Sequence, residues 1–353
     1  MYKKAVLCFL VVLVSIPAAI ASSSAEVSMP TLEELLAYVG FKDTKTNRLM
    51  AGEIVSGDLK ASSENELALV VTMLVRAPVS KVVDIVRSGT IYKLNKDVIA
   101  FGDIGDATTA KDDLTGLGFE ASEAEEVARL LKVKPGSTFN LSTAEIKRFK
   151  GIVSRHQSKG AEKDAALREA INAEYRGVLT ERYKAFRQSG LGGIAPYDRG
   201  GGKQGNPGKE LVDKTKTYKL MQKRAPEFYH ALLNYPNDSV DDIKNTFIWM
   251  KQLVNKRPAF ILGHRMLQVR PNEYAVSVFR EFYVGHNFNS MQLILVTFPV
   301  KEGTFVFYSN RTSTDQVAGF GGGMKRKIGG QMLQKEVIKL FTTYREALEK
   351  GGS

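Results

Sequence analysis

Residues 274–288 read YAVSVFREFYVGHNF, and the period of that stretch decides what kind of molecule this is. Alternation sets Val276, Val278, Arg280, Phe282, Val284, His286 and Phe288 on one face, and Ala275, Ser277, Phe279, Glu281 and Tyr283 on the other. A two-residue period is that of a β-strand, whose side chains point alternately to opposite faces. The same period continues outward on both sides, in PAFILGHRMLQV (258–269), SMQLILVTFPV (290–300) and TFVFYSN (304–310). Turn material stands between the runs at Arg270-Pro271-Asn272, Asn287–Asn289 and Lys301–Gly303. Four successive antiparallel strands are therefore expected. A helix from about Met324 to Lys350 then closes the chain, apolar at Ile328, Met332, Leu333, Val337, Leu340, Phe341 and Tyr344. The fold class is α+β: an antiparallel sheet gripped by a long C-terminal helix, with a large helical insertion before the four strands.

Both faces of the 274–288 strand are apolar enough to be covered, so Arg280 and Glu281 need partners. In the preceding strand His264 shares a face with Phe260, Leu262 and Met266, and Arg265 lies opposite. Two accounts fit: a cross-strand charge pair closing the sheet, or a polar anchor at the bottom of an apolar pocket. On the second account the ligand-binding set is Arg280, His264, Tyr283 and His286, with Asn310 and Arg311 at the mouth. Asn310-x-Thr312 also matches a glycosylation acceptor, a pattern that chance produces often.

Working back toward the N-terminus, TLEELLAYV (31–39) predicts a short helix capped by Thr31. GEIVSGDL (52–59) and ELALVVTMLV (66–75) predict strands, Pro78 opens a helix carrying Val79, Val82, Val83 and Val86, and residues 91–104 read as extended. From about 121 to 250 the pattern is helical. Ser122-x-x-Glu125 and Ser142-x-x-Glu145 match capping boxes. The segment 161–188 has an apolar stripe through Leu167, Ile171, Tyr175, Val178, Leu179, Tyr183 and Phe186, and its basic face (Lys163, Arg168, Arg176, Arg182, Lys184, Arg187) reads as solvated. Residues 189–210 read as a long mobile loop, followed by a helix over 210–230 broken near Pro226 and another over 240–256 containing Trp249.

Two glycine-rich stretches invite a phosphate-binding reading, and both fail it. In 189–210, Gly208-Lys209 is followed by Glu210, and no glycine stands five places earlier. In AGFGGGMKRKIGG (318–330) the preceding strands are hairpin neighbours, not part of a βαβ unit. That stretch is expected to be a strand-to-helix corner, with Lys325, Arg326 and Lys327 as candidate contacts for an anion or an anionic membrane. The four histidines, His156, His230, His264 and His286, form no H-E-x-x-H motif, and no G-x-S-x-G elbow occurs. Neither a metal nor a cofactor is expected, and no catalytic residue is nominated.

The chain opens MYKKAVLCFLVVLVSIPAAIA: two lysines, an apolar run from Ala5 to Pro17, and Ala19-Ile20-Ala21 as an A-x-A site. This is the pattern of a secretory signal peptide cleaved near Ala21, so a periplasmic or secreted protein is expected. The one cysteine, Cys8, lies within the leader, which leaves no disulfide framework. Loss of Lys3 and Lys4 takes the formal charge from +12 to +10. Outside the cytoplasm that excess points to anionic lipid, a surface polyanion or an acidic protein, and nucleic acid is not expected.

The order of elements, with LVVTMLVRAPVSKVVDIVRSG (69–89) carrying Ala77-Pro78 and Val82, resembles the helix-grip fold of the START-like (SRPBCC) superfamily. The resemblance divides the chain into the leader (1–21), the first part of the domain (22–109), a helical insertion (110–256), and a sheet with its closing helix (257–353). It implies binding or transport of a hydrophobic ligand of lipid, sterol or isoprenoid type, held in a pocket between sheet and C-terminal helix. Two other readings stay open: an envelope interaction module without a small ligand, and a periplasmic hydrolase or isomerase using His264 or His286 as base.

Overall fold

The computed structural model describes residues 29–38, 41, 45–155, 161–319 and 321–350. The leader lies outside them, as does His156. One antiparallel sheet of eight strands organises the molecule. In chain order the strands are β1 (Val55–Asp58), β2 (Glu66–Val75), β3 (Val98–Ile104), β6 (Ile243–Val254), β7 (Arg257–Arg270), β8 (Tyr274–Val284), β9 (Ser290–Val300) and β10 (Gly303–Ser313); β4 (Tyr197–Gly200) and β5 (Lys203–Gly205) form a separate hairpin. Across the large sheet the order is β1-β2-β10-β9-β8-β7-β6-β3. The expected four strands β7 to β10 are thus present as consecutive neighbours. β2, beside β10, and β3, beyond β6 at the far edge, come from the N-terminal third of the chain.

Helices cover both faces. On the front lie α3 (Val79–Arg87), α4 (Thr90–Lys93) and α12 (Gly322–Lys350). The α3–α4 segment carries the chain from β2 across the sheet to its far edge at β3. Val337, Phe341, Tyr344 and Leu348 of α12 pack on Leu69, Val71, Met73, Val306 and Tyr308 of β2 and β10. On the back, α1 (Leu32–Tyr38) and α2 (Thr46–Met50) cover one end and α11 (Pro226–Asn234) the middle. The other end is covered by α6 (Ala124–Leu131), α7 (Thr143–Arg155) and the 29-residue α8 (Ala161–Ser189). α5 (Ala110–Asp113), α9 (Pro207–Lys216) and α10 (Lys219–Arg224) complete the helices. A strand buried on both faces reads as a continuous apolar run, which is why ELALVVTMLV shows no clean alternation.

Three expectations are corrected. The helix expected over 240–256 is strand β6, hydrogen-bonded to β7 along its whole length. Its apolar residues serve both faces, Phe247 and Trp249 on the back and Ile248 and Met250 on the front, so neither a helical nor a strand period stands out. Asn255 (φ 50°) and Lys256 (φ 64°) turn it directly into β7, the two positive φ angles of a tight hairpin without the usual glycine. The expected mobile loop 189–210 is an ordered hairpin. Arg199 on it donates to Asp315 (2.7 Å), Gly136 O (2.9 Å), Asn140 (2.7 Å) and Asn289 (2.8 Å). The basic face of α8 is not uniformly solvated, because Arg182 is buried and forks onto both carboxylate oxygens of Glu145 at 2.8 and 2.7 Å.

Candidate functional site

The predicted ligand residues divide between the two faces, and one position brings Tyr283 to the same face as Arg280. Between β7 and β8 the register pairs Leu262 with Tyr283 but Gly263 with Glu281, so Phe282 is an extra residue in a β-bulge. Alternation is reset there. Phe282 and Tyr283 both face back, where Phe282 stacks on Phe186 of α8 (4.1 Å between centroids) and the Tyr283 hydroxyl meets that of Tyr175 at 2.8 Å. Val284 faces front.

On the back face the register places Arg311, Gln292, Arg280 and His264 directly opposite one another on β10, β9, β8 and β7. Neighbouring strands lie ~4.8 Å apart, so these side chains form one row. Arg280 is wholly buried and donates to Gln292 Oε1 (2.8 Å) and to Thr215 Oγ1 on α9 (3.1 Å). Among the described residues no carboxylate reaches it, and burial lowers its guanidinium to about 9. Arg311 is paired with buried Glu66 at 3.1 Å. Lys214 of α9 donates to Ser290 O (3.2 Å) and Oγ (2.7 Å), and burial brings its amine down to about 8. His264 stacks on Phe247 at 4.6 Å, with Nε2 2.7 Å from Asn245 Oδ1; burial holds its imidazole well below the usual value. Beyond the end of β8, His286 is also fully buried, its Nε2 3.1 Å from Pro258 O. Arg280, His264, Tyr283, His286 and Arg311 therefore do not reach a pocket beneath α12, as the sequence reading expected. They fasten the insertion and α9 to the back of the sheet.

Asn310 is the one member of the set on the front. It is buried beside Tyr308, accepting from Thr312 Oγ1 at 2.8 Å and donating to the Tyr308 hydroxyl at 3.3 Å, which leaves it no room to carry a glycan. The front face has two features that the alternation pattern did not reveal. Met291, Leu293 and Leu295 of β9, a central strand overlain by helices, are only partly buried, as are Ile85, Ile91, Leu94, Leu333 and Leu340 opposite them. An interior strand fully covered by helices would be sealed, so α12 and the α3–α4 pair stand apart above β9 and leave an apolar strip open. On the same face, over β3, β6 and β7, a cleft of about 200 Å³ is lined by Tyr92, Phe101, Asp103, Ile248, Arg87 and Arg265.

Arg265 donates to the carbonyl of Val86 at the C-terminal end of α3, where a cation suits the helix dipole, and its Nε has no partner. Glu281 lies on the same face, opposite Gly263, two residues from Arg265 along β7. Its carboxyl is buried, Oε2 has no partner among the described residues, and burial alone raises it to about 8. At neutral pH this group is an acid with a proton to donate. Burial raises the Tyr92 phenol, the Arg265 charge opposes that rise, and the Glu281 charge adds to it, so the three groups lie within electrostatic reach of one another. The sequence reading named Glu281 as needing a partner and placed Arg265 on the face opposite His264, assigning neither to a site.

Lys325, Arg326 and Lys327 begin α12. Arg326 donates to Glu64 O at 2.8 Å, while Lys325 and Lys327 are exposed. Among the described residues no three His, Cys, Asp or Glu side chains could hold a metal ion, and no helix is long and apolar enough to cross a membrane. Comparison of the chain with protein-family models, with curated proteins and with solved structures returned no match.

Proposed function

We propose that this chain binds a hydrophobic small molecule on a helix-grip frame of START-like type. The ligand would lie on the β9 strip beneath α12, with its polar end in the cleft of Tyr92, Asp103 and Arg265. The strand order supports the frame. β2, the two short helices α3 and α4, β3, five further strands and a closing helix follow the order of that superfamily, and β2 pairs β10 as the first and last strands of such a domain would. The observation that carries the ligand reading is the incomplete burial of Met291, Leu293 and Leu295 in the middle of the sheet. Apolar area taken from water there would supply about 25 cal/mol per Å².

The cleft's size narrows the class. At about 200 Å³ it exceeds the ~150 Å³ that admits benzene and falls short of the ~300 Å³ of drug-sized pockets. It suits a polar head or a compact ring, with any tail along the strip. A hydrolase or isomerase based on His264 or His286 gains no support, since both rings are sealed from solvent on the other face or beyond the strand end. The leader-like N-terminus supports a site of action outside the cytoplasm.

The test pairs mass spectrometry of an organic extract of the natively purified protein with fluorescent-lipid uptake by the wild type and by Leu293→Trp and Leu295→Trp. Bound lipid or uptake by the wild type, lost in the two variants with unchanged thermal midpoints, is the expected result. An empty extract with no uptake would remove the carrier reading.

A further inference from the structure

α12 breaks two rules of helix design at the same place. Met324, Ile328 and Met332 are 72, 52 and 65 % exposed. Spaced four apart, they form one ridge along roughly 12 Å of helix. The core contacts of α12, through Leu333, Val337 and Phe341, fall on the opposite side at 100° per residue. The ridge therefore contributes nothing to packing on the sheet. The start of the helix also carries Lys325, Arg326 and Lys327 and no acidic residue in its first turn, although cations are disfavoured at a helix N-terminus. Lys325 and Lys327 flank the ridge and Lys335 continues it, all exposed, and the first acidic residue of α12 is Glu336. Folding accounts for neither the apolar ridge nor the charge around it.

We propose that this outer face of α12 docks on an anionic lipid surface, with Met324, Ile328 and Met332 entering the acyl boundary and Lys325, Lys327 and Lys335 meeting the headgroups. Three observations favour a bilayer. The feature is a convex ridge, suited to insertion into a fluid phase. Its charge matches anionic headgroups. A second copy would bring the same lysines face to face, on a chain already at +12. The inference does not rest on the ligand reading, because the strip lies under the opposite side of α12.

The experiment is flotation of the full chain with vesicles of phosphatidylcholine alone or of phosphatidylcholine containing phosphatidylserine. Wild type is compared with Met324→Ser/Ile328→Ser/Met332→Ser and with Lys325→Glu/Lys327→Glu/Lys335→Glu. The chains are identical outside α12, so the apolar run at residues 5–17 contributes equally to all. Each variant is expected to lose about tenfold in binding to the anionic vesicles, with an unchanged thermal midpoint and circular dichroism. The charge variant should behave on anionic vesicles as wild type does on neutral ones. Variants that bind like wild type, or wild type indifferent to phosphatidylserine, would overturn the proposal. So would tight binding of polyglutamate that depends on the ridge, or ridge-dependent dimers in sedimentation, since these would assign the face to an acidic protein or a second copy.

Discussion

Glu281 and Glu66 are both buried carboxylates, and their surroundings set them opposite tasks. Glu66 accepts from the guanidinium of Arg311 at 3.1 Å, whereas Glu281 keeps a proton because nothing cationic is paired with it. The folded protein holds that proton up to about pH 8, and an unfolded chain releases it near the ordinary value of 4.5. Between those values the folded state binds one more proton, so stability falls as pH rises, by about 1.4 kcal/mol per pH unit, and levels off above the folded value. Glu281→Gln needs no proton and should gain on the wild type across that window in urea titrations run from pH 5 to 9. Equal pH slopes for the two proteins would show that the carboxyl is ionised or paired. On the back face, removing one partner of a buried ion pair strands the other charge. Glu66→Ala should therefore cost about 3–5 kcal/mol. Arg280 has no carboxylate to strand, and Thr215 still donates to Gln292 at 3.1 Å without it. Arg280→Met is expected to stay within ~1 kcal/mol of wild type or exceed it, and a loss as large as that of Glu66→Ala would mean that Arg280 holds an anion.

At the scale of elements, the strands β7 and β8 are held in one register by a bulge and a glycine working together. The extra residue Phe282 rotates the end of β8 so that Tyr283 reaches α8. Opposite it Gly263 has no side chain, and a Cβ built there would overlap the Phe279 ring. Gly263→Ala should then cost about 1–3 kcal/mol through displacement of Phe279, read as a lower urea midpoint at unchanged m-value. A neutral substitution would mean that the ring has room to swing into the cleft. Most elements here were legible: α3, α8, the four strands β7 to β10 and α12 lie where alternation or helical spacing set them, and β2 lies where a continuous run of β-favouring residues did. β6 was not, because a strand buried on both faces carries no alternation and its turn uses Asn255-Lys256 in place of a glycine. The hairpin β4–β5 was hidden by its composition, since Gly200, Gly201 and Gly202 read as flexibility although φ angles of 77°, 59° and 76° show a tight turn.

Over the whole molecule, the insertion between β3 and β6 behaves as one layer of the fold and not as an appendage. α8 stacks Phe186 on Phe282, and one continuous apolar cluster runs from Leu114 through Tyr175 and Phe186 to Phe260. Trp249, the only tryptophan, belongs to that cluster. Its fluorescence and the far-ultraviolet circular dichroism should therefore report a single coincident transition in urea. Separate midpoints would show the insertion and the sheet unfolding independently. This layer covers the back face from Phe247 and Trp249 across to Phe282 and Tyr283.

Local spacing determined most of the strands and helices, with β6 and the β4–β5 hairpin as exceptions, because a period of two or of 3.6 residues is a property of a few neighbours along the chain. It also determined the antiparallel run of β7 to β10, through the short turns between them. Which face each polar side chain serves was decided only in three dimensions. One extra residue at Phe282 reverses the alternation beyond it, and Arg182 is buried because Glu145, 37 positions away, comes to meet it. Charge pairing and sheet facing depend on distant groups brought together by the core, and no window along the chain contains both partners.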